Sequence, residues 1–473
     1  MLSRDWCEYE TPFFTVYTDM KEKDAMYTAE ELLSFHHATS MFFAPDAIEG
    51  TSLSIVLFRY PREFSRAFNQ SKFVGVMQPS FQEHLLLLAA VSNGNEYMEV
   101  AFHEYAHFII RSRLHRPVPR WMEEGLAQYL ATLQIESPGV ASIGELSRRR
   151  VLVSFLETKH QDWNEILDVD IMNTDALDLQ PQYDVALGLV HYLVHGTQQS
   201  KTEHSLQKIN ILLERVNAGE DAFQAYLAIA QTNEEDLEGK LYGYLTEDQE
   251  PIHFLFDEHT ETVADRGCLN RVDKHLLLAN SISDFNVKRS EDILTRLNRA
   301  RPNNYRVLAA LSNITRRKTE LSREYASQAY QINPNVAETN IAMARSLIRV
   351  CVKVQDETCN QLLSAARSLY ARALELDPHR VDAAFGLGIL YLNEGKATDA
   401  LEYLLVSHKH APWSARANFH LGEAFRQLGQ LEKAADHLRI AAHWETDESR
   451  KENMLEVLAL VEERQVEESS ANE

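Results

Sequence analysis

A period of 34 residues runs through the C-terminal part of the chain. Pro378 and Pro412 are separated by this interval, and so are Gly388 and Gly422. Further pairs with the same spacing are Ala400 and Ala434, Leu404 and Leu438, and Tyr391 and Phe425. A fixed period of this length indicates a supersecondary unit that stacks on copies of itself, because one unit cannot bury its apolar face alone. We therefore predict an all-α solenoid here.

The pattern extends upstream if one insertion is allowed. Pro334 lies 44 residues before Pro378, and an insertion at residues 352–361 accounts for the ten extra positions. Small residues that let paired helices approach closely, with proline after the second helix, resemble the tetratricopeptide repeat. We predict about five helical pairs across residues 269–450. The resemblance implies surfaces that bind peptides or protein partners but carry no chemistry of their own.

The residues with chemical potential lie in the N-terminal half, where His103-Glu104-Tyr105-Ala106-His107 forms an HExxH motif. The flanking apolar residues predict a helix, and residues four apart lie on one face of a helix. His103 and His107 can therefore direct two imidazole nitrogens at one metal ion. Glu104 lies one step round the helix, where its carboxylate can act as a general base on a water molecule at the metal.

A second helix is predicted to supply the third ligand. Pro117 and Pro119 end the first helix, and Glu124 follows on the next one after a short loop. A catalytic zinc site needs three protein ligands and one open position. We therefore predict that His103, His107 and Glu124 bind Zn²⁺.

The segment His-Glu-Tyr-Ala-His, followed by Pro-Arg-Trp-Met-Glu-Glu-Gly-Leu-Ala-Gln-Tyr-Leu, resembles the gluzincin metallopeptidases, specifically the peptidase-MA-like group. The resemblance covers about residues 12–245 and is strongest between His103 and Leu130. It implies an α+β zincin-like catalytic domain, with a small sheet and active-site helices, that hydrolyses peptide bonds. In gluzincins the glutamate before Gly-Leu-Ala is the third zinc ligand, which corresponds to Glu124.

The same resemblance implies a catalytic side chain that donates a hydrogen bond to the oxyanion. A tyrosine recurs in this type of helix in relatives, which makes Tyr183 the candidate. His191 and His195 are rivals on the same predicted helix, and a packing role for Tyr183 is an equal alternative. No glutamate accompanies the two histidines as in the HExxH motif, so we expect them on a solvated helix face.

The first 90 residues have a mixed α/β pattern. Strands are predicted at residues 13–17, 53–58 and 85–89, and helices at 22–43 and 61–67. In zincins an edge strand near the metal holds extended substrate by main-chain pairing. Residues 85–89 are the candidate for this edge strand.

The segment Gly75-Val76-Met77-Gln78-Pro79 is similar to the Gly-x-Met-Glu-Asn signature of gluzincin aminopeptidases. The glutamate of that signature binds the substrate's amino terminus. Gln78 and Pro79 replace its glutamate and asparagine, so the anionic group that would hold an ammonium is missing. This difference favours an endopeptidase, although a turn entering a strand explains the residues equally well.

Composition limits the partners. The net charge of −23 argues against nucleic acid, which needs a basic surface. No run of about 18 apolar residues exists, so we expect no transmembrane segment. The N-terminus lacks the apolar core of a signal peptide. The chain as written is expected in the cytoplasm, and a trimmed leader would instead place it in the periplasm or outside the cell.

The four cysteines do not form a disulfide scaffold in a chain of 473 residues. We expect four free thiols. Cys351 and Cys359 flank the predicted insertion and are the pair that an oxidising compartment could join.

These observations predict a zincin-like domain at 1–245, an acidic linker at 246–268, repeats at 269–450, and a terminal helix with a polar tail at 451–473. The predicted function is zinc-dependent hydrolysis of peptide bonds, with the repeats recruiting a protein partner or substrate. Alternatives are an inactive zincin scaffold and a zinc hydrolase that acts on other amides or esters. A chain ending near Leu245 is expected to keep the metal site, unless the first helical pair stabilises the catalytic domain.

Overall fold

The N-terminal half is organised around a six-stranded sheet. The computed structural model describes residues 3–41, 53–69, 75–78, 84–90, 96–114, 116, 118–158, 162–167, 180–196, 203–257, 261–354, 357–445 and 447–471. The six strands are β1 (Cys7–Glu10), β2 (Thr15–Thr18), β3 (Leu53–Phe58), β4 (Gly75–Gln78), β5 (His84–Ala89) and β9 (Ala264–Cys268). Their order is β4-β5-β3-β2-β1-β9, in which β2, β3 and β5 are parallel and β4 pairs antiparallel with β5.

A second, three-stranded antiparallel sheet contains β6 (Gln134–Ser137), β7 (Val140–Ile143) and β8 (Ile252–Leu255). The helices of this half are α1 (Glu22–Ser40), α2 (Pro61–Phe68), α3 (Glu96–Arg113), α4 (Arg120–Ala131), α5 (Arg148–Thr158), α6 (Trp163–Leu167), α7 (Gln180–His191), α8 (Glu203–Asn217), α9 (Ala222–Ile229) and α10 (Glu234–Thr246). A π-helical turn, Tyr192–Gly196, continues α7. The predicted strands and helices of the first 90 residues are thus present, with small shifts at their ends.

The predicted edge strand is wrong, because β5 lies inside the sheet between β4 and β3. The terminal strand beside the motif helix is β4, which includes Gly75 and Gln78. The physical reason is visible in the sequence of β5, His-Leu-Leu-Leu-Leu-Ala, which is almost entirely buried. An unbroken apolar run is typical of a strand covered on both faces, whereas an edge strand tolerates polar positions.

The acidic segment at 246–268, predicted as a linker, contributes one strand to each sheet. β8 pairs with β7, and β9 pairs with β1. Cys7 and Cys268 face each other across β1 and β9 and form a disulfide. Cys351 and Cys359 form a second one. The expectation of four free thiols is therefore wrong, because strand pairing brings Cys7 and Cys268 together over a sequence separation of 261 residues.

The C-terminal half is a tetratricopeptide-type array of five antiparallel helix pairs followed by one long helix. The helices are α11 (Arg271–Ser281), α12 (Val287–Ala300), α13 (Tyr305–Ile314), α14 (Thr319–Ile332), α15 (Ala337–Val354), α16 (Thr358–Leu376), α17 (Val381–Asn393), α18 (Ala397–His410), α19 (Ala415–Gln427), α20 (Leu431–Trp444) and α21 (Glu448–Ala471). A Cβ at Gly388 would lie 2.9 Å from Leu404 Cγ, and one at Gly422 would lie 2.7 Å from Leu438 Cγ. The periodic glycines are therefore where the helices of a pair approach most closely. Among the helices of the described residues, none combines the length and apolarity needed to span a bilayer.

The two halves share apolar cores. Residues of the first two helix pairs, from Leu276 to Ile314, pack against Trp6, Val56 and Phe58 on the N-terminal half. Trp413, between α18 and α19, belongs to the main core of that half. The array therefore covers surface that the N-terminal half would otherwise expose. This is the packing under which a chain ending near Leu245 is expected to lose stability.

Candidate metal centre

The HExxH motif lies in the middle of α3, and Glu124 lies in the first half of α4. Both helices are anchored by apolar residues: Tyr105, Ala106 and Phe108 are fully buried on α3. Pro119 forms the N-terminal boundary of α4, as predicted. The two helices pack against each other, and the predicted metal-ligating residues lie at their contact.

The structure brings the three predicted ligands together. His103 Nε2 lies 3.2 Å from His107 Nε2 and 3.4 Å from Glu124 Oε2. His107 Nε2 lies 3.7 Å from the same carboxylate oxygen. Two donors that bind one tetrahedral zinc at its usual bond lengths lie about 3.3 Å apart. The donor types and all three separations therefore fit a zinc ion, and His103, with 24% of its side chain exposed, leaves one side of the cluster accessible.

A second carboxylate orients one of the histidines. His107 Nδ1 lies 2.9 Å from Glu123 Oε1, and Arg111 Nε donates to the same oxygen at 2.6 Å. Burial raises the pKa of Glu123, but Arg111 and His107 outweigh it and bring the pKa well below its usual range. An ionised Glu123 accepts a hydrogen bond from the Nδ1–H group of His107. This bond keeps the proton on Nδ1, so the lone pair on Nε2 faces the other two donor atoms.

Glu124 is also held in its charged form. Arg120 donates to Glu124 Oε1 at 2.7 Å, which leaves Oε2 for the histidine pair. Burial raises the pKa of the Glu124 carboxyl, but His107, His103 and Arg120 outweigh it and lower the pKa to about 2. Ligand carboxylates must be deprotonated to bind metal, and this one meets that requirement across the physiological pH range.

Glu104 faces the edge strand. A Cβ added to Gly75 would lie 2.7 Å from Glu104 Cγ and 2.9 Å from Val100 Cγ1. Gly75 thus lets β4 pass directly over the side chain of Glu104. As a result, the predicted general base packs against the face of β4 and lies one residue from the predicted ligand His103.

Tyr183 lies at the border of the cluster. Its hydroxyl oxygen is 3.4 Å from Arg120, the same guanidinium that contacts Glu124. Burial raises the pKa of Tyr183 and exceeds the opposing effect of Arg120, so the phenol stays protonated and can donate. Its placement depends on Gly125, where a Cβ would lie 2.6 Å from the carbonyl oxygen of Ala186 on α7.

His191 and His195 are not on a solvated face, so that prediction is wrong. Both are buried, and their rings stack with centroids 4.0 Å apart. His191 contacts the Tyr244 hydroxyl and donates to the Gly144 carbonyl oxygen at 2.8 Å, while His195 Nε2 lies 3.0 Å from the Tyr129 hydroxyl. These bonds tie α7 and its π-helical turn to neighbouring elements. They make both residues poor rivals to Tyr183.

Sequence reasoning missed three residues of the centre: Glu123, Arg111 and Arg120. Arg111 and Glu123 are brought together by the way α4 crosses α3, whereas Arg120 lies four residues before Glu124 on α4 itself, a spacing that the sequence shows. The adjacent glutamates at 123 and 124 are the only hint that one could bind metal while the other supports a ligand.

No family model matches the chain, and no curated protein sequence matches it. Solved structures of tetratricopeptide proteins are similar to part of it. A thermophilic protein of Thermus thermophilus, TTC0263, has 15% identity and a TM-score of 0.34, covering 39% of this chain and 98% of its own. PilF of Pseudomonas aeruginosa has 17% identity and a TM-score of 0.33, covering 42% and 87%. YrrB, described as having an unusual peptide-binding site, has 17% identity and a TM-score of 0.28, covering 38% and 90%.

Proposed function

We propose that this chain is a zinc-dependent endopeptidase of the gluzincin type whose repeats recruit a protein partner or substrate. The observation that carries the proposal is the convergence of His103 Nε2, His107 Nε2 and Glu124 Oε2 within 4.8 Å of one another. Among the described residues, no other group of three histidine, cysteine or acidic side chains meets this criterion.

In this proposal His103, His107 and Glu124 hold the metal. Bound zinc supplies a Lewis acid that polarises a carbonyl group and lowers the pKa of water toward about 7. Glu104 accepts a proton from the attacking water and later passes it to the leaving amine nitrogen. Glu123 and Arg111 keep His107 in the tautomer that binds metal.

The substrate lies along β4 in this proposal. Among the residues that the structure describes, β4 is the terminal strand of the sheet, so its outer edge can pair with an extended peptide. Glu104 packs over Gly75 of this strand, so a peptide paired with β4 would run close to the base. Tyr183, with Arg120 beside it, donates to the oxygen that becomes negative in the transition state.

The test is a peptide-library digest with wild type and Glu104→Gln, with zinc content measured in each. Glu99→Gln is the matched control, since Glu99 is an exposed carboxylate on the same helix. We expect Glu104→Gln to retain zinc and to lose hydrolysis by about 10²-fold or more, as removal of a general base should. Glu99→Gln should behave as wild type.

Three results would redirect the proposal. Equal turnover in Glu104→Gln and wild type would exclude Glu104 as the base. Zinc binding without cleavage of any peptide by wild type, but with hydrolysis of simple esters or amides, would favour a non-peptidase hydrolase. Zinc binding with no hydrolysis at all would favour the inactive scaffold.

A further inference from the structure

The last helix pair of the array contacts the residues that orient His107. Trp444, the final residue of α20, has its ring centroid 4.8 Å from the guanidinium carbon of Arg111. Arg111 Nε donates to Glu123 Oε1 at 2.6 Å, and that oxygen lies 2.9 Å from His107 Nδ1. An unbroken series of contacts therefore joins the repeat array to a predicted zinc ligand.

The residues of this series are largely shielded from solvent. Glu123 is 2% exposed, and only 14% of the Arg111 side chain is accessible to solvent. Trp413, from the loop before α19, packs edge-on against Phe108 and so closes the same side of α3. Because the surroundings are packed, Arg111 has few alternative positions while Trp444 covers it.

Each contact constrains the next one. The face of an indole ring attracts a guanidinium, which fixes the plane of Arg111. A fixed guanidinium holds the Glu123 carboxylate in one orientation, and the carboxylate in turn sets the tautomer of His107. Outer partners of this kind typically change metal affinity by about 10-fold to 100-fold when they are removed.

We propose that Trp444 is a positioning residue for the metal centre, acting through Arg111 and Glu123 on His107. The last repeat then sets the zinc affinity of the catalytic half. This inference rests on the proposed metal site. It assigns the repeat array a second role besides recruiting a partner.

The test compares zinc affinity by chelator competition in full-length wild type, Trp444→Ala and Trp444→Phe. The visible spectrum of each cobalt-substituted protein reports the ligand geometry, and melting in excess chelator reports the fold. We expect Trp444→Ala to bind zinc about 10-fold more weakly with an altered cobalt spectrum, and Trp444→Phe to restore most of the affinity because it keeps an aromatic face.

Equal zinc affinity and equal cobalt spectra in wild type and Trp444→Ala would overturn the inference while leaving the proposed function intact. Wild type that binds no zinc would remove both. If Trp444→Ala does not fold, Arg111→Lys replaces it, since lysine keeps the charge but loses the Nε bond to Glu123. Unchanged zinc affinity in Arg111→Lys would equally refute the series of contacts.

An independent observation concerns the third to fifth helix pairs, where four side chains form what we call the arginine face: Arg345, Arg349, Arg380 and Arg416. Arg345 and Arg380 share one carboxylate, that of Asp382, at 3.1 and 3.0 Å. The carboxylates of Glu338 and Glu445 also lie near enough to act electrostatically on Arg380 and Arg416, respectively.

The other two arginines have neutral partners. Arg349 donates to the Ser322 hydroxyl at 2.8 Å, and burial with nearby Arg345 and Arg316 lowers its pKa to about 10. Arg416 is exposed and lies over the ring of Phe385, with 5.2 Å between its guanidinium carbon and the ring centroid. A crowded cationic surface is unexpected on a chain of net charge −23, and it suits an anionic ligand.

We infer that the arginine face binds the carboxylate side chains of an acidic peptide segment in the protein partner. The face extends over α15, α17 and α19, whose neighbours in this series contact one another, so it can follow an extended chain. Carboxylates match the planar fork of arginine, and this match distinguishes the face from a diffuse positive charge.

The experiment measures fluorescence anisotropy of a labelled peptide rich in aspartate and glutamate, against the same peptide with asparagine and glutamine. Full-length wild type, Arg416→Gln and Arg372→Gln are compared, and Arg372 serves as control because it is an exposed arginine on α16 outside the face. We expect the acidic peptide to bind preferentially. We expect Arg416→Gln to weaken it about 10-fold, and Arg372→Gln to leave it unchanged.

Equal binding of the acidic and amide peptides would overturn this inference, as would equal effects of Arg416→Gln and Arg372→Gln. Preferential binding of single-stranded RNA over the acidic peptide would also contradict it. None of these outcomes involves zinc, so they do not test the proposed metal centre.

Discussion

Glu123 and Glu124 are neighbours in sequence but serve different partners. Successive residues on a helix point about 100° apart, so two adjacent carboxylates cannot face the same atom. Glu124 faces the Nε2 atoms of His103 and His107, while Glu123 faces the far side of the His107 ring. Each carboxylate has its own arginine, and the two roles therefore stay separate.

The Tyr183→Phe variant tests whether Tyr183 donates a hydrogen bond to the oxyanion. The phenol can donate to a developing oxyanion and phenylalanine cannot, so kcat should fall by about 10²-fold with zinc content unchanged. Steady-state kinetics with metal analysis measures both quantities. Tyr330→Phe, in the repeat array, is the control and should keep wild-type kcat. An unaltered kcat in Tyr183→Phe would assign the tyrosine to packing alone.

The sequence predicted that His103 and His107 would lie together because a helix fixes the distance between positions i and i+4. It could not predict the pairing of Arg111 with Glu123, since their contact depends on the angle at which α4 crosses α3. The spacing of Arg120 and Glu124 on one helix could have indicated their pairing. The burial of His191 and His195 was also missed. Their spacing is the same on a buried face as on a solvated one, and only the packing of α7 decides between them.

At the level of elements, the contact between α4 and α7 sets the distance between Glu124 and Tyr183. Gly125 allows this contact, because any side chain there would meet the backbone of Ala186. The glycine after Glu124, the proposed third ligand, is therefore required on steric grounds. The apolar pattern of the sequence predicted both helices but not their separation.

Gly125→Ala should push α7 away from α4. Overpacking of this kind costs about 1–3 kcal/mol, and we expect a lower melting temperature together with weaker zinc binding. Thermal melting and chelator competition are the measurements. Gly243→Ala on α10 is the matched control, because a Cβ there meets no atom within 4 Å. Zinc affinity equal to wild type in Gly125→Ala would show that α7 does not constrain the centre.

The residues of β4 predict that cleavage does not require a free amino terminus on the substrate. Gln78 on β4 donates to Asp284 of the repeat array and carries no charge that could hold an ammonium group. Acetylating the amino terminus of a cleaved peptide should therefore leave kcat/KM nearly unchanged. Parallel assays of free and acetylated peptides give the answer. A large loss on acetylation would instead indicate an aminopeptidase.

On the scale of the whole molecule, the two halves are joined by extensive contacts. The array covers one side of the sheet, and Trp444 of the array contacts Arg111. The disulfide of Cys7 and Cys268 joins β1 to β9, the strand that leads into the array. The period of 34 residues predicted the helix pairs because stacking in a solenoid is local. It contained no information on docking, which depends on contacts between residues far apart in sequence.

A chain ending at Leu245 should accordingly fail to fold. It would lack β8, β9 and the helices that cover Trp6, Val56 and Phe58, leaving a large apolar surface in water. Circular dichroism melting against full-length protein should show no cooperative transition. A cooperative melt together with wild-type zinc affinity in the truncated chain would contradict the dependence of the halves.

The measurement that bears most directly on the metal centre is the zinc content of purified protein and of His103→Ala, determined by elemental analysis after dialysis. We predict about one zinc per wild-type chain and little in His103→Ala, because two remaining donors hold the ion far less tightly than three. Substituting His253, an exposed histidine on β8, with alanine should leave the zinc content unchanged. If His103→Ala retains as much zinc as wild type, or if wild type binds none, the assignment of His103, His107 and Glu124 is wrong.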